Sequence, residues 1–285
     1  MDTTKKYSTG AVPYLTCIDH TVSNESYQLV YNSEYDMLVT TPVPQNLASY
    51  YESEAYISHT DRSKGLFETT YQLVKKYALK KKLSLINQQT AGPKKILDIG
   101  AGTGDFLKVC KDNGWDVTGV EPSAVAQQYA QEKGLQLHTE LAEVVQQEFE
   151  VITMWHVLEH VRDLDSYIEQ LKKLLSPTGT LVIAVPNFKS YDAQHYKSFW
   201  AAFDVPRHLW HFSKESIKRL FKPYGLQLQE TKPMKFDAYY VSLLSEKYKT
   251  GSMRPIRAMM QGFKSNWQAK KTQEYSSLIY LLKKV

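Results

Sequence analysis

Cysteine is scarce in this sequence, and long apolar runs are absent from it. Cys17 and Cys110 are its two cysteines, far apart and in no C-x-x-C pair. A disulfide framework is therefore excluded, and a zinc site built from cysteines is not expected. No stretch approaches the ~20 apolar residues of a membrane-spanning helix, and the first ten residues lack the apolar region of a signal peptide. We therefore expect a cytoplasmic protein with no transmembrane segment.

A strong excess of charge of either sign is also lacking. The chain has 35 lysine and arginine residues against 30 aspartate and glutamate residues, which gives a net charge of +5. A balance this mildly basic permits an acidic partner without requiring one. A nucleic-acid partner is therefore disfavoured.

Composition and hydrophobic pattern divide the chain into two parts. Residues 1–64 are polar and rich in tyrosine, and we interpret them as an N-terminal appendage to a domain over 65–285. From residue 96 onward, apolar runs such as "KILDIG" and "FEVITMW" alternate with helical patterns. This alternation predicts an α/β fold, a doubly wound parallel sheet covered by helices on both faces. Residues 238–270 are expected to form a helical insertion before the last strand.

The stretch "ILDIGAGTGDF" ends the first of these strands and opens a helix, with glycines at 100, 102 and 104. Glycine allows a sharp turn and a close approach of a ligand to the backbone, and the helix start offers free N–H groups. Glu121 ends the next strand, where a carboxylate can accept the hydroxyls of a ribose. A dinucleotide site requires a third small residue where Asp105 stands. The pattern therefore favours a different nucleoside cofactor.

The motifs "ILDIGAGTGDF", "VTGVEPS", "FEVITMWHVLEHV" and "LLSPTGTLVIAVPN" follow one another in order. Together they resemble the motif series of class I S-adenosylmethionine-dependent methyltransferases, over about residues 94–225. The later "DVPRHLWHFSKES" is similar to a subgroup that acts on small molecules. The resemblance implies a Rossmann-like, seven-stranded, mostly parallel sheet whose last strand, at about 276–284, is antiparallel.

The resemblance also implies roles for individual residues around an S-adenosylmethionine cofactor. Asp98 would orient the glycine loop and the amino group, Glu121 would hold the ribose, and the segment at Leu141 would reach the adenine edge. The full cofactor-binding set implied in this way is Asp98, Gly100, Ala101, Gly102, Glu121, Pro122, Leu141, Trp155 and His156.

His156-x-x-Glu159-His160 matches the H-x-x-E-H pattern of one class of zinc peptidases. Such a site needs both histidines in mid-helix on one face. His156 instead follows the strand "FEVITMW" directly, which predicts a strand-to-helix turn. We therefore expect no metal there, and expect His156 to face the cofactor. Glu159 and His160 either border the reaction site or only brace the turn.

Methyl transfer to oxygen or nitrogen can use a general base, and histidine suits that role. The candidate catalytic residues are His160 and His208, with His211 and His59 as further possibilities. Arg207 either serves the site or pairs with Asp204.

Aromatic residues around the site leave two interpretations open. Those that follow the fifth strand either cover the active site or form a buried cluster. A second cover is expected from residues 50–61, where Tyr51, Tyr56 and His59 are the residues to test.

The leading hypothesis is a methyltransferase that acts on a small molecule, as a monomer or homodimer. The alternatives are a cofactor-binding protein without catalysis, such as a regulatory protein, or an RNA methyltransferase. "AVPN" at 184–187 replaces the N-P-P-Y type of motif, which disfavours methylation of a base amino group. The identity of the acceptor stays open at this point.

Overall fold

The computed structural model describes residues 3–51, 66–90, 92–145 and 148–285, with the backbone alone at 3, 48 and 66–73. Tyr56 and His59 lie outside the described residues. The strands in the described ranges are β1 Val12–Ile18, β2 Ser26–Asn32, β3 Met37–Thr41, β4 Lys95–Ile99, β5 Asp116–Val120, β6 Phe149–Trp155, β7 Leu175–Pro186, β8 Trp210–His211, β9 Leu226–Pro233 and β10 Ser277–Lys284. None of the helices in these ranges combines the length and apolarity of a membrane span.

The helices alternate with the strands of the larger sheet, and two adjacent helices lie before the last strand. They are α1 Thr3–Ser8, α2 Leu66–Asn87, α3 Asp105–Asp112, α4 Ala124–Glu132, α5 Leu164–Leu174, α6 Tyr191–Tyr196, α7 Lys214–Phe221, α8 Asp237–Thr250 and α9 Pro255–Thr272. Side chains cap the starts of some of them. The Ser123 hydroxyl accepts the Ala126 N–H at the start of α4, and Ser213 forms a capping box with Ser216 at the start of α7.

The larger sheet has the strand order β5-β4-β6-β7-β10-β9. β5, β4, β6 and β7 are parallel, and β10 runs antiparallel to both of its neighbours. The predicted mostly parallel sheet and its antiparallel last strand are therefore confirmed.

The expected count of seven strands is wrong, because this sheet has six among the described residues. A single parallel bridge between His138 and Val120 lies where a further strand would extend the β5 edge. The Glu121 N–H donates to the His138 carbonyl, and the His138 N–H donates to the Gly119 carbonyl. The chain then enters a 3₁₀ turn at Leu141–Glu143, so the pairing ends after one residue.

Both faces of the larger sheet are buried, which explains the continuous apolar runs of its central strands. Neighbouring residues of β6 alternate between two cores. Val151 packs in the core covered by α2 and α3, and Ile152 packs in the core covered by α5 and α7. Both side chains are fully buried. The helices of the two faces therefore fix the strand register by burying opposite side chains of each strand.

A smaller antiparallel sheet, with the order β1-β2-β3-β8, is formed largely by the N-terminal residues. Its last strand, β8, comes from the segment after β7 and pairs with Leu38 and Val39 of β3. Tyr7, Met37 and Val39 share a hydrophobic core with Trp210. The N-terminal sheet thus holds the segment that carries His208.

Shortening a central strand residue should destabilise the fold strongly. Ile183 of β7 is fully buried and lies opposite Met154 on one side and Tyr280 on the other. We expect Ile183→Ala to lower the free energy of unfolding by about 2–5 kcal/mol, as cavity-forming substitutions do. Urea unfolding should show a change within about 0.5 kcal/mol for the control Val125→Ala, since Val125 is 51% exposed. Equal losses in the two variants would contradict this account of the core.

Candidate functional site

The turn after β4 is tied directly to the end of β5. The N–H groups of Gly100 and Ala101 both donate to the Val120 carbonyl, at 2.8 and 3.0 Å. Gly100 has a φ of +70°, and a Cβ there would lie 2.4 Å from Cγ2 of Val157. Only glycine therefore suits this position, which brings the turn after β4 against the turn after β6.

Glu121 connects this turn to the start of the segment after β5. One carboxylate oxygen accepts the Gly102 N–H at 2.8 Å, and the other accepts the Ser123 N–H at 2.9 Å. A carboxylate has about four acceptor positions, so both oxygens can accept further hydrogen bonds. Gly102 has a φ of +54°, and a Cβ there would have no atom of the described residues within 4 Å. The space beside Gly102 and Glu121 can therefore admit a ligand.

Asp98 lies beneath the glycine turn and is 2% exposed. The Thr153 hydroxyl donates to it at 2.5 Å. Burial raises the pKa of Asp98 to about 6, against the effects of Thr153 and of Lys82. Asp98 thus lies in a buried position two residues before Gly100, with Thr153 as its hydrogen-bond partner.

Lys82 of α2 turns inward, although it lies in a run of three lysines at positions 80–82. Its Nζ lies 4.2 Å from the centre of the Trp155 ring, and burial lowers its pKa in spite of the charges of Asp98 and Asp237. Because other lysines precede it directly, the sequence does not distinguish this buried lysine from exposed ones. Trp155 also packs edge-on against Phe106.

His156 follows β6 in a left-handed conformation, with a φ of +58°. Its Nε2 is 3.1 Å from Oδ2 of Asp237, and its Nδ1 is 3.3 Å from Oε1 of Glu159. Burial lowers the pKa of His156, but these two carboxylates outweigh burial and raise it to about 10. His156 is thus a partly buried imidazolium. Asp237 begins α8, far along the chain, and no local sequence signal connects it with this site.

The zinc-peptidase arrangement is not formed by these residues. Leu158–His160 is a 3₁₀ turn. His156 contacts Asp237, while His160 contacts the segment after β7. Nδ1 of His160 lies 3.1 Å from the Arg207 carbonyl and 3.0 Å from the Tyr51 hydroxyl. Tyr51 of the N-terminal region therefore contacts His160.

Glu159, His160 and His208 come together instead. Each offers one potential metal-ligand atom, and these atoms lie within 4.8 Å of one another. The rings of His160 and His208 meet edge to face with centroids 4.6 Å apart. Two imidazoles and a carboxylate could hold either a proton or a metal ion.

The other two candidate residues after β7, Arg207 and His211, bond to neighbouring parts of the fold. Arg207 donates from Nε and Nη2 to the two carboxylate oxygens of Asp204, which confirms the ion-pair interpretation. His211 is 4% exposed, and its Nε2 lies 3.0 Å from the Thr40 hydroxyl between β3 and β8. His211 therefore braces the small sheet.

Four of the aromatic residues after β7 belong to a buried hydrophobic cluster. Phe188, Tyr196, Trp200 and Phe203 are each at most 3% exposed, and they pack against residues of β1, β2, β3 and α8. At the far end of the candidate cofactor site, Pro122 is exposed and Leu141 is buried beside the His138 bridge. The structure therefore brings the glycine turn, Glu121, Trp155 and His156 to one edge.

Comparison with known proteins agrees with this geometry. Residues 70–231 match a family model described as "Methyltransferase domain", so the chain belongs to the methyltransferase domain family. The predicted family is confirmed.

Among curated proteins, the ubiquinone biosynthesis O-methyltransferase of Actinobacillus pleuropneumoniae serotype 7 is 36% identical over 122 residues. The match covers 37% of this chain and 52% of that protein. The enzyme of the same name from Haemophilus ducreyi is 35% identical over 108 residues, covering 33% of this chain and 46% of that protein. The chain thus matches about half the length of these curated relatives.

The crystal structure of magnesium protoporphyrin IX methyltransferase from Synechocystis PCC 6803 with bound SAH has a similar fold. The TM-score is 0.54 at 14% identity, over 83% of this chain and 97% of that chain. At this identity the similarity confirms the fold alone, and the Rossmann-like interpretation of the larger sheet agrees with it.

The raised pKa of His156 predicts a pH-dependent contribution to stability. The imidazolium is favoured in the folded state by Asp237 and Glu159. Its contribution should be complete below the unfolded pKa of about 6.5 and should be lost as the pH rises through the folded pKa of about 10. Urea unfolding across this range should show His156→Gln most destabilised at low pH, with the difference from wild type shrinking as the pH rises.

The control for this measurement is His138→Gln. His138 lies 3.5 Å from Glu143 with a half-exposed side chain, so its substitution should give a small difference at every pH. A His156→Gln difference that grows with rising pH would contradict the assignment of a charged His156.

Proposed function

We propose that the cleft between the glycine turn and Glu121 binds S-adenosylmethionine, and that the protein transfers its methyl group to a small molecule. The observation that carries this proposal is the pair of strand ends held together at Val120, with open space beside Gly102. Membership of the methyltransferase domain family supports it. The acceptor and the activity are proposals for this chain because its curated relatives are matched over about half their length.

In this proposal each residue around the cleft contacts a different part of the cofactor. Glu121 accepts the ribose hydroxyls in addition to its two backbone partners. Asp98 stays buried beneath the turn and orients the cofactor's amino group. The Trp155 ring and the charged His156 flank the methionine end, while the Leu141 segment reaches the adenine side.

The chemical step is an in-line displacement at the methyl carbon. A lone pair of the acceptor forms the new bond to carbon, the carbon–sulfur bond breaks, and its electron pair neutralises the sulfonium. Alignment of two bound reactants can contribute about 7–11 kcal/mol to such a step. The acceptor's proton must leave as well, and we propose His160 and His208 as the groups that orient the acceptor and take part in removing it.

A hydroxyl group is the acceptor best supported for this chain. The curated relatives are named as O-methyltransferases, and neutral imidazoles that can accept a proton suit an oxygen acceptor. Burial, reinforced by the nearby His208, lowers the pKa of His160 to about 4. His160 is therefore neutral at physiological pH.

Cofactor binding should depend on Glu121 and on the space beside Gly102. Loss of hydrogen bonds to a charged carboxylate costs about 1.5–3 kcal/mol, so Glu121→Ala should weaken S-adenosylmethionine binding by about 10- to 100-fold. Gly102→Val should fill the open space and weaken binding at least as much. Isothermal titration calorimetry measures both effects.

Two variants serve as controls for this titration. Gly114→Val places the same side chain at another glycine with positive φ and open surroundings, and Glu132→Ala removes an exposed carboxylate on α4. Both should bind the cofactor with wild-type affinity. Undiminished affinity in Glu121→Ala and Gly102→Val would overturn the proposed cofactor site.

Turnover should depend on the histidine pair more than cofactor binding does. With a panel of phenolic and catecholic acceptors, mass spectrometry should detect products heavier by one methyl group. His160→Ala and His208→Ala should each lower the rate by about 10²–10⁴-fold, while S-adenosylmethionine affinity stays near wild type. Cofactor binding without turnover on any acceptor would favour the non-catalytic alternative.

A further inference from the structure

Glu159 is a buried carboxylate whose oxygens have no adequate partner. It is 1% exposed, and among the described residues neither Oε1 nor Oε2 forms a hydrogen bond. Nδ1 of His156 lies 3.3 Å from Oε1, as an ion pair without a hydrogen bond. A buried carboxylate without hydrogen bonds requires a donor or a cation beside it.

Two imidazole rings lie beside this carboxylate. Nδ1 of His208 lies 2.9 Å from the Ala202 carbonyl, and because a carbonyl oxygen can only accept, this Nδ1 carries the proton and Nε2 keeps its lone pair. Nδ1 of His160 lies 3.1 Å from the Arg207 carbonyl and 3.0 Å from the Tyr51 hydroxyl, so either ring nitrogen of His160 can present the lone pair. Fixing the tautomer by a backbone carbonyl is how proteins commonly prepare histidine as a metal ligand.

We propose that Glu159, His160 and His208 bind a single divalent metal ion of the zinc type. Two imidazoles and a carboxylate are donors that suit Zn²⁺ and also Co²⁺. The three candidate ligand atoms already lie within 4.8 Å of one another. Ligand atoms on one ion with bonds of about 2.0–2.2 Å are about 3–4 Å apart, so the side chains need to move inward by about 1 Å.

The position of this site would give the metal ion a role in the proposed reaction. Three protein ligands leave a coordination position open, as in catalytic zinc sites. An acceptor hydroxyl bound there would have a lowered pKa and would lose its proton to water more readily. This part of the inference rests on the proposed function.

This site differs from the zinc-peptidase pattern read from the sequence. His156 is excluded as a ligand because both of its ring nitrogens contact carboxylates, those of Asp237 and Glu159. His208 lies 48 residues beyond His160 and takes its place. The expectation that this region holds no metal was based on His156 and His160 in one helix, and the structure assembles a different set of donors.

The test is metal binding by the full chain after chelator treatment and dialysis. Titration with Zn²⁺ followed by calorimetry, and with Co²⁺ followed by visible absorption, should each give one equivalent per chain. Glu159→Gln keeps the size of the side chain and should weaken binding by at least 10-fold, as should His208→Gln. The matched control His138→Gln alters the exposed His138–Glu143 pair and should leave the affinity unchanged.

The outcomes separate this inference from the proposed function. Wild-type protein that binds S-adenosylmethionine but takes up no stoichiometric Zn²⁺ or Co²⁺ would overturn the metal site and leave the cofactor site intact. One equivalent of metal with no binding of S-adenosylmethionine would support the metal site and overturn the proposed cofactor site. Metal uptake that is unchanged in both Glu159→Gln and His208→Gln would place the ion elsewhere and also overturn the inference. The wild-type stoichiometry decides even if a variant fails to fold.

Discussion

Two hydrogen bonds from the turn after β4 to the carbonyl of Val120 hold the ends of two neighbouring parallel strands together. They place Gly102 beside Glu121, whose carboxylate accepts the Gly102 N–H. Without this contact, the Glu121 carboxylate and the backbone of the glycine turn would not lie beside the same cleft. The parallel sheet supplies the edge at which they meet, because all its strand ends point the same way.

The turn after β6 depends on the same edge. Gly100 allows Val157 to approach the glycine turn, and His156 is fixed between carboxylates from its own turn and from α8. The turn therefore contacts α8 through His156 and the segment after β7 through His160. One short segment thus carries residues of both the proposed cofactor cleft and the proposed metal site.

Much of this arrangement could be predicted from the sequence, because it depends on local patterns. The glycine turn and the acid at the end of β5 are short motifs, and apolar runs predict the parallel strands. The inward position of Lys82 and the role of Asp237 could not be predicted in this way. Both depend on contacts between distant segments, and Lys82 is hidden among neighbouring lysines. The aromatic residues after β7 were equally consistent with a cover or a core, since aromatic composition does not distinguish the two.

We propose above all that the ends of β4 and β5 together hold an adenosyl group. A crystal structure of the protein soaked with S-adenosylhomocysteine tests this most directly. We expect the ribose hydroxyls within hydrogen-bond distance of the Glu121 carboxylate, about 2.5–3.0 Å, and the ligand against the backbone at Gly102. Density for the nucleoside at another place, with the space between Gly102 and Glu121 empty, would contradict it.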